Sequence, residues 1–301
     1  MDKLTFYIVD VFAESKYAGN QLAVFRGGGE LTQAQMQAVA KEMNYSETTF
    51  IVSDEPCAGE GDTAGGWDVR ILTPEEEIPF AGHPTLGTAY VIRQEIILEE
   101  VGEVALNTGV GRIPVAINYV DGVVENLWMT QKAPTFGRVF EAKVVAGALN
   151  LDPGDIDTRY PVQEVSTGLP FIMVPLRKLD ALKRAVVDRG KYFELISDTD
   201  AKAIFIFCPE TYNPENNIAA RLFADYYGVS EDPATGSANG CLAGYLVKHR
   251  FYGSRMIDVR VEQGYEIGRP SLLYLKAQEA GKMIEGKVGG KGMMVAKGEF
   301  V

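Results

Sequence analysis

Histidine and cysteine are scarce in this sequence, and their scarcity limits the chemistry available to the protein. Among 301 residues there are two histidines, His83 and His249, and three cysteines, Cys57, Cys208 and Cys241. The odd number of cysteines, without framework spacing, is typical of a reducing compartment. Because neither Cys-x-x-Cys nor His-Glu-x-x-His occurs, we expect no zinc site and no other metal in the active site.

Nucleotide-binding motifs and long apolar runs are also missing. There is no G-x-x-x-x-G-K-[ST], and the glycines at 27–29 do not form a dinucleotide fingerprint, so we expect chemistry without a cofactor. No apolar run approaches the length that spans a bilayer. Residues 1–6 lack the basic and apolar regions of a signal peptide. The expectation is a cytoplasmic protein that does not interact with membranes.

Positive charge is in short supply. The chain carries 29 lysines and arginines against 41 aspartates and glutamates, a net charge of −12, which argues against nucleic acids and anionic membranes as partners. Its 46% apolar content is typical of a globular protein. A length of 301 residues is large for a single core and favours two domains.

The most informative feature that is present is an internal repeat. Segments 80–91 and 235–246 each run from a turn of small residues into an apolar stretch without charge. Gly82 matches Ser237 and Tyr90 matches Tyr245 at one offset, since 237 − 82 and 245 − 90 both equal 155. A helix that is apolar on all sides must be buried on all sides, and its N-terminus suits an anion. Two such helices predict a duplicated fold with a site where the halves meet.

The order of predicted elements repeats as well. In the first half we predict strands at 5–12, 22–25, 48–52 and 67–72, a helix at 31–43 with Thr32 as N-cap, and a surface loop at 54–66. In the second half we predict a hairpin at 163–174, a helix at 179–187 and strands at 203–207 and 219–223.

These elements indicate an α+β fold of two pseudo-symmetric domains. We place the domains at 1–128 and 129–301, with the final strand near 293–301 a candidate to complete the first domain.

Three residues are candidates for proton chemistry by type and position. Glu47 lies between a helix end and a strand, and Asp232 precedes the second small-residue turn. Each carboxylate is either a proton-transfer group or an ordinary capping or solvated residue. His83 starts the first buried helix, where its charged form is disfavoured, and is either a proton relay or a core histidine. His249, at the far end of the second helix, is interpreted as a surface residue without a function.

Five motifs are spread over nearly the whole chain. They are Val9-Asp10-Val11-Phe12 with Gly19-Asn20-Gln21-Leu22-Ala23-Val24, Asn44-Tyr45-Ser46-Glu47-Thr48, Pro79-Phe80-Ala81-Gly82-His83-Pro84-Thr85, Asp232-Pro233-Ala234-Thr235-Gly236-Ser237-Ala238 and Gln263-Gly264-Tyr265-Glu266-Ile267-Gly268-Arg269-Pro270-Ser271. In this order the motifs resemble the phenazine-biosynthesis-like (PhzF) family. The resemblance implies the fold of diaminopimelate epimerase: two similar domains, each a curved, mostly antiparallel sheet wrapped around a central helix, with the active site in the cleft.

The resemblance also implies site residues. Glu47 matches the family's general acid/base, and His83 and Asp232 match its supporting proton-handling partners. The remaining expected substrate-binding residues contribute backbone amides, hydroxyls or the turns that shape the site: Ser46, Gly82, Gly236, Ser237, Asn20 and Gly264. The epimerase has a cysteine from each domain at positions that look equivalent to Gly82 and Ser237, so racemisation by two thiols is disfavoured here.

The function implied is an isomerase that shifts a proton and a double bond on a small carboxylated substrate, similar to dihydro-hydroxyanthranilate isomerase. Two alternatives stay open. One is a catalytically inactive family member that acts as a binding or interaction protein. The other is a racemase or epimerase of a different amino acid, with Glu47 and Asp232 as opposed groups. Because family members commonly pair, we also expect a homodimer.

Overall fold

The computed structural model describes residues 3–58 and 65–301, which form two compact units. The first unit comprises residues up to Met129 together with Gly289–Val301, and the second comprises Thr130–Val288. Residues 59–64 of the predicted surface loop lie outside the described residues. Among the described residues no helix is long and apolar enough to cross a membrane.

The first unit is built mainly of strands. Its helices are α1 (Gln33–Met43) and α2 (Gly82–Ile92), and α2 continues as a π-helical turn, Arg93–Ile97. Its strands are β1 (Leu4–Val11), β2 (Asn20–Arg26), β3 (Thr48–Ile51), β4 (Trp67–Leu72), β5 (Glu77–Ile78), β6 (Glu103–Thr108), β7 (Gly111–Val120), β8 (Val123–Gln131) and the last strand of the chain, β18 (Gly292–Phe300).

The second unit has more helix. Its α-helices are α3 (Ala142–Ala148), α4 (Leu179–Arg184), α5 (Arg189–Ile196) and α6 (Gly236–Lys248). Its strands are β9 (Thr135–Phe140), β10 (Val162–Ser166), β11 (Pro170–Pro175), β12 (Ile204–Cys208), β13 (Ile218–Ala224), β14 (Val229–Asp232), β15 (Met256–Gln263), β16 (Ser271–Ala280) and β17 (Met283–Gly290). Short 3-10 turns in the two units lie at Gly28–Glu30, Pro153–Asp155, Asp225–Tyr227 and Tyr265–Ile267.

The two units share one pattern of strand pairing. In the first unit β1–β2 is antiparallel, β2–β3 parallel, β3–β4 and β4–β5 antiparallel, β4–β6 parallel and β6–β7 antiparallel. In the second unit β10–β11, β11–β12, β12–β13, β13–β14, β13–β15 and β15–β16 repeat the same orientations in the same order. The predicted duplication of a mostly antiparallel α+β fold is therefore confirmed.

Each unit surrounds one helix with its strands. All residues of α2 are buried, and the helix contacts β1, β2, β3, β6, β7 and β18. The contact with the β1–β2 hairpin is close, because a Cβ added at Gly87 would lie 2.6 Å from Cδ2 of Leu22. Helix α6 is buried except at Ser237 and Lys248 and contacts β10, β11, β15 and β16. This is the environment that an uncharged helix requires.

Two local predictions need correction. The helix predicted at 179–187 ends earlier, at Arg184 (α4), and a separate helix, α5, begins at Arg189. The chain between the two helices is hydrogen-bonded to α3, where the N–H of Asp188 donates to the carbonyl of Ala148 (2.9 Å). His249 is half-buried rather than a surface residue, since its Nε2 lies 2.9 Å from Oε1 of Gln163. Its ring also packs against Tyr245, with the centroids 4.5 Å apart.

An arginine–glutamate pair precedes the central helix in each unit. In the first, the guanidinium of Arg70 on β4 forms an ion pair with the carboxylate of Glu77 on β5, and its Nε donates to Oε1 at 2.8 Å. The two side chains are 31% and 35% exposed. In the second, Nε and Nη2 of Arg221 on β13 lie 2.9 and 2.8 Å from the carboxylate oxygens of Glu231 on β14. That pair is only 9% and 8% exposed. Nη1 of Arg221 also donates to the carbonyl of Leu182 in α4 (2.8 Å).

This difference in burial predicts different costs for the same substitution. Arg221→Ala should lower the free energy of unfolding by about 3–5 kcal/mol, because it leaves the Glu231 carboxylate buried without its counter-charge. The matched control, Arg70→Ala, should cost about 1 kcal/mol or less, since solvent screens the half-exposed pair. Urea denaturation of both variants measures the difference. Equal losses would show that burial does not decide the role of these pairs.

Candidate active site

Glu47 is placed by the junction of α1 and β3. Helix α1 ends at Met43, its C-cap Asn44 takes a left-handed conformation (φ 53°, ψ 30°), and the chain then turns into β3. All four residues of β3 are buried, and the strand pairs in parallel with β2, so that Thr48 lies opposite Ala23. Glu47 therefore stands where a strand enters the core of the first unit.

The alternation of the strand directs Glu47 toward the start of the central helix. Residues two apart along a strand point to the same face, so Glu47 and Thr49 share a face. Thr49 on that face is hydrogen-bonded through Oγ1 to Oγ1 of Thr88 in α2, at 2.8 Å. On the same side, Oε2 of Glu47 lies 3.5 Å from Nε2 of His83. The structure thus brings together two of the three predicted catalytic residues.

The carboxyl of Glu47 has an unusual environment. Its side chain is 18% exposed, but Oε2 is buried and has no hydrogen-bond partner among the described residues. Burial raises the pKa of Glu47 from 4.5 to about 7, against the lowering effect of a hydrogen bond from Ser46. The carboxyl is therefore poised between its neutral and ionised forms near neutral pH.

His83 is held by the first turn of α2. The helix begins after Ala81, whose side chain cannot cap it, and Pro84 occupies a first-turn position where its missing N–H costs nothing. Oγ1 of Thr85 donates to the carbonyl of Ala81 at 2.8 Å and closes the turn. Gly82 and His83 are both buried. Their backbone amides stand at the partially positive end of the helix, which suits an anion.

Asn20 is the first residue of β2 and is buried. It lies two positions before Leu22, the residue that closely approaches Gly87 of α2. Strand alternation therefore places Asn20 and Leu22 on the face of β2 that looks toward the helix. In the parallel register of β2 and β3, this is also the face that Glu47 occupies.

The other predicted residues lie together in the second unit. Asp232 ends β14, and Thr235 is the N-cap of α6, whose first two residues are Gly236 and Ser237. Oγ1 of Thr235 donates a hydrogen bond to Oδ2 of Asp232. Gly264 lies beside this turn in a left-handed conformation (φ +79°), and a Cβ there would come within 2.6 Å of the carbonyl oxygen of Pro233. Gly264 thus lets two backbone segments approach closely next to Asp232.

Sequence analysis missed Thr235 and Gln263 as parts of this arrangement. Gln263, 1% exposed, donates from Nε2 to the carbonyl of Asp232 (2.9 Å) and to Oγ1 of Thr235 (3.1 Å). The sequence offered one indication of their importance: Thr235 and Gln263 each lie in one of the five family motifs, next to Gly236 and Gly264. Nothing in a single sequence shows that a glutamine on β15 meets an aspartate 31 positions earlier.

The duplicated fold does not carry duplicated chemistry. Glu47 directly precedes β3, in which Phe50 lies opposite Arg70. In β12 it is Ile206 that lies opposite Arg221, so the position of Glu47 corresponds to Ala203, which has no ionisable side chain. Within residues 3–58 and 65–301, no group of three or more His, Cys, Asp or Glu side chains is placed to hold a metal ion.

Comparison with known proteins decides the family. The sequence model of the family described as "Phenazine biosynthesis-like protein" matches residues 9–298. The chain belongs to this family. It is 33% identical to the trans-2,3-dihydro-3-hydroxyanthranilate isomerase of Pseudomonas aeruginosa, covering 97% of this chain and 98% of that protein. The resemblance drawn from the five motifs is therefore confirmed, and so is the prediction that the protein is an isomerase.

Solved structures agree with this family. A Bacillus anthracis phenazine biosynthesis protein of the PhzF family superposes with a TM-score of 0.89 at 26% identity, covering 100% of both chains. A hydroxyproline epimerase from Agrobacterium vitis superposes with a TM-score of 0.61 at 12% identity, covering 100% of this chain and 91% of the other. At that identity the second likeness concerns the fold alone, and it confirms the predicted epimerase-like architecture.

The raised pKa of Glu47 makes a prediction about stability. Between pH 4.5 and about 7 the folded protein holds a proton that the unfolded chain has released, so this contribution to stability is full below pH 4.5 and is lost as pH rises through 7. Glutamine does not ionise. Glu47→Gln should therefore be more stable than the parent by about 1–3 kcal/mol near pH 8.

The advantage should shrink as the pH is lowered toward about 5, where Glu47 is neutral in the folded protein. Urea denaturation at the two pH values measures it. Glu42→Gln, on the exposed side of α1, is the matched control and should stay within about 0.5 kcal/mol of the parent. A Glu47→Gln protein that is less stable than the parent near pH 8 would mean that the carboxylate is a structural anchor.

Proposed function

We propose that the protein moves a proton, and with it a double bond, within a small carboxylated substrate, using neither a metal nor a nucleotide. The observation that carries this is the Glu47 carboxyl, which has a pKa of about 7 and lies 3.5 Å from His83. A general acid/base works best when its pKa is near the working pH, because one group can then both accept and return a proton.

The proposed step conserves atoms and electrons. The Glu47 carboxylate takes a proton from the first carbon of a three-carbon unit in the substrate, and the electron pair of that C–H bond forms a new double bond to the middle carbon, which displaces the π pair of the original double bond onto the far carbon. The shifted electron pair then takes the same proton back from Glu47 at the far carbon of the three-carbon system. Nothing is oxidised or reduced, and the substrate and product are isomers. We propose His83, the polar neighbour of Glu47, as its partner in handling the proton.

The proposed substrate class follows from the helix starts and the relatives. The protein has a net charge of −12, so an anionic substrate needs local positive potential, which the amides of Gly82 and His83 supply. Ser46, Gly236 and Ser237 are proposed as further contacts, as the family resemblance implies. The Pseudomonas relative is named for trans-2,3-dihydro-3-hydroxyanthranilate. We propose a small cyclic carboxylate of this kind, with Asp232 as the second carboxylate in proton handling and a homodimer as the working form.

Replacing the proposed acid/base tests the function directly. Glu47→Gln should bind substrate nearly normally while turnover falls by at least about 100-fold, because the amide keeps the shape but cannot exchange a proton. Asp232→Asn and His83→Ala should also lower turnover. Proton NMR in heavy water measures deuterium uptake at carbon, with trans-2,3-dihydro-3-hydroxyanthranilate as the first substrate and related cyclic carboxylates next.

Glu42→Gln is again the matched control and should retain the parent rate. If Glu47→Gln turned over substrate as fast as the parent, the mechanism would be wrong. A parent that binds these carboxylates without exchanging any carbon-bound hydrogen would instead support the alternative of a binding protein.

The pH dependence gives an independent check. If Glu47 must be ionised to take the first proton, kcat/KM should rise with pH through about 7 and level off above it. Ser46→Ala should move this rise to higher pH, because the hydrogen bond from Ser46 lowers the pKa of Glu47. Steady-state rates between about pH 5 and 9 measure the shift. An unmoved profile in Ser46→Ala would assign the rise to another group.

A further inference from the structure

Thr235 is an N-cap residue that does not cap its helix. A threonine at this position ordinarily accepts a hydrogen bond from a backbone N–H of the first turn, as Thr32 does from Gln35 in α1 (3.3 Å). Thr235 makes no such bond to α6. Its hydroxyl is turned instead to Asp232, three residues before it, and donates to Oδ2. The side chain of Thr235 therefore contacts a proposed catalytic group and does not stabilise the first turn of α6.

The direction of that hydrogen bond is fixed by the backbone. The N–H of Thr235 donates to Oε1 of Gln263 (3.3 Å), and the carbonyl of Asp232 accepts from Nε2 of Gln263 (2.9 Å). Because a backbone N–H only donates and a carbonyl only accepts, these two contacts determine which side-chain atom of Gln263 is the oxygen and which is the nitrogen. Asn239 agrees, since its Nδ2 donates to Oε1 of Gln263 at 3.0 Å.

The orientation of the Gln263 amide then determines the direction in which the Thr235 hydroxyl donates its hydrogen. With Nε2 of Gln263 donating to Oγ1 of Thr235 (3.1 Å), the hydroxyl already serves as an acceptor there. A hydroxyl has a single hydrogen to give, and that hydrogen points to Oδ2 of Asp232. Gln263 and Asn239 are 1% and 0% exposed, so water does not compete for these bonds.

We propose that Thr235 is a positioning residue that acts through Asp232. Its hydroxyl, polarised by Gln263, holds Oδ2 as a hydrogen-bond acceptor and so keeps the carboxylate of Asp232 ionised and in one orientation. The proposal rests on the proposed function, in which Asp232 takes part in proton handling. It assigns Thr235 and Gln263 a part in the reaction although neither carries a group that exchanges protons with the substrate.

A double-mutant cycle tests whether Thr235 acts through Asp232. Thr235→Val, which keeps the shape and removes the hydroxyl, should lower kcat/KM by about 10-fold or more, and Thr235→Ser should restore it to within about 3-fold of the parent. In the Asp232→Asn background, Thr235→Val should cost less than about 2-fold further, because the group it positions is gone. The substrate used is trans-2,3-dihydro-3-hydroxyanthranilate. If Thr235→Val does not fold, Thr235→Ala takes its place.

A second measurement does not depend on turnover. Carbon-13 NMR of aspartate carboxyl groups, with the signal of Asp232 assigned by its loss in Asp232→Asn, follows its titration directly. Losing a donor to the ionised form should raise the pKa of Asp232 in Thr235→Val, and Thr235→Ser should reverse the change. Thr32→Val is the matched control: it removes a side chain that does cap its helix, so it should lower the stability of the protein but leave kcat/KM and the Asp232 signal unchanged.

The outcomes separate this proposal from the proposed function. An equal loss of kcat/KM from Thr235→Val in both backgrounds, or an unmoved titration of Asp232, overturns the positioning role and leaves the isomerase function standing. Parent-like turnover in Asp232→Asn overturns the role of Asp232 and with it this proposal. The role of Glu47 is tested separately, by Glu47→Gln, and none of the Thr235 outcomes decides it.

Discussion

The structure of each unit depends on one constraint, the burial of a helix that has no polar face. Every residue of α2 is buried, so strands must cover the helix on all sides. That cover also encloses the first turn of the helix, where backbone N–H groups are left without helical partners. Polar side chains at this turn therefore lie in a place from which water is largely excluded. His83 belongs to that turn, and the carboxyl of Glu47, the residue before β3, lies 3.5 Å from it.

The unusual electrostatics of Glu47 follow from that placement. A carboxyl on an open loop would titrate near its ordinary pKa, but the strand that Glu47 directly precedes is buried along its whole length. Desolvation disfavours the ionised form and brings the pKa close to neutral pH. The same burial that completes the core thus produces a group suited to exchanging protons. It also lowers the free energy of unfolding at high pH, where Glu47 must be ionised in the folded protein.

The two units share their backbone topology but differ in the side chains that could carry out a reaction. Both units keep the strand pairings, the central helix and an arginine–glutamate pair before that helix. Yet the position of Glu47 holds Ala203 in the second unit, a residue that cannot exchange a proton. Threonines precede a helix in both units as well, and only Thr32 caps its helix through its side chain. Backbone topology has therefore been preserved where side-chain function has diverged.

The sequence by itself determined the elements whose signals are local. The helix at 31–43 with its cap at Thr32, the strand at 67–72 and the two uncharged helices were predictable, because periodicity, capping and composition act over a few residues. The ordered motifs also identified the family and named Glu47 and His83.

Only the tertiary structure decided how these residues are held and charged. The approach of Glu47 to His83, the split of α4 from α5 and the burial of His249 against Gln163 all join segments distant in the sequence. The direction of the Thr235 hydroxyl likewise depends on Gln263, 28 residues away. Desolvation and hydrogen-bond polarity arise from neighbours in space, and a single sequence does not record which neighbours the fold will bring.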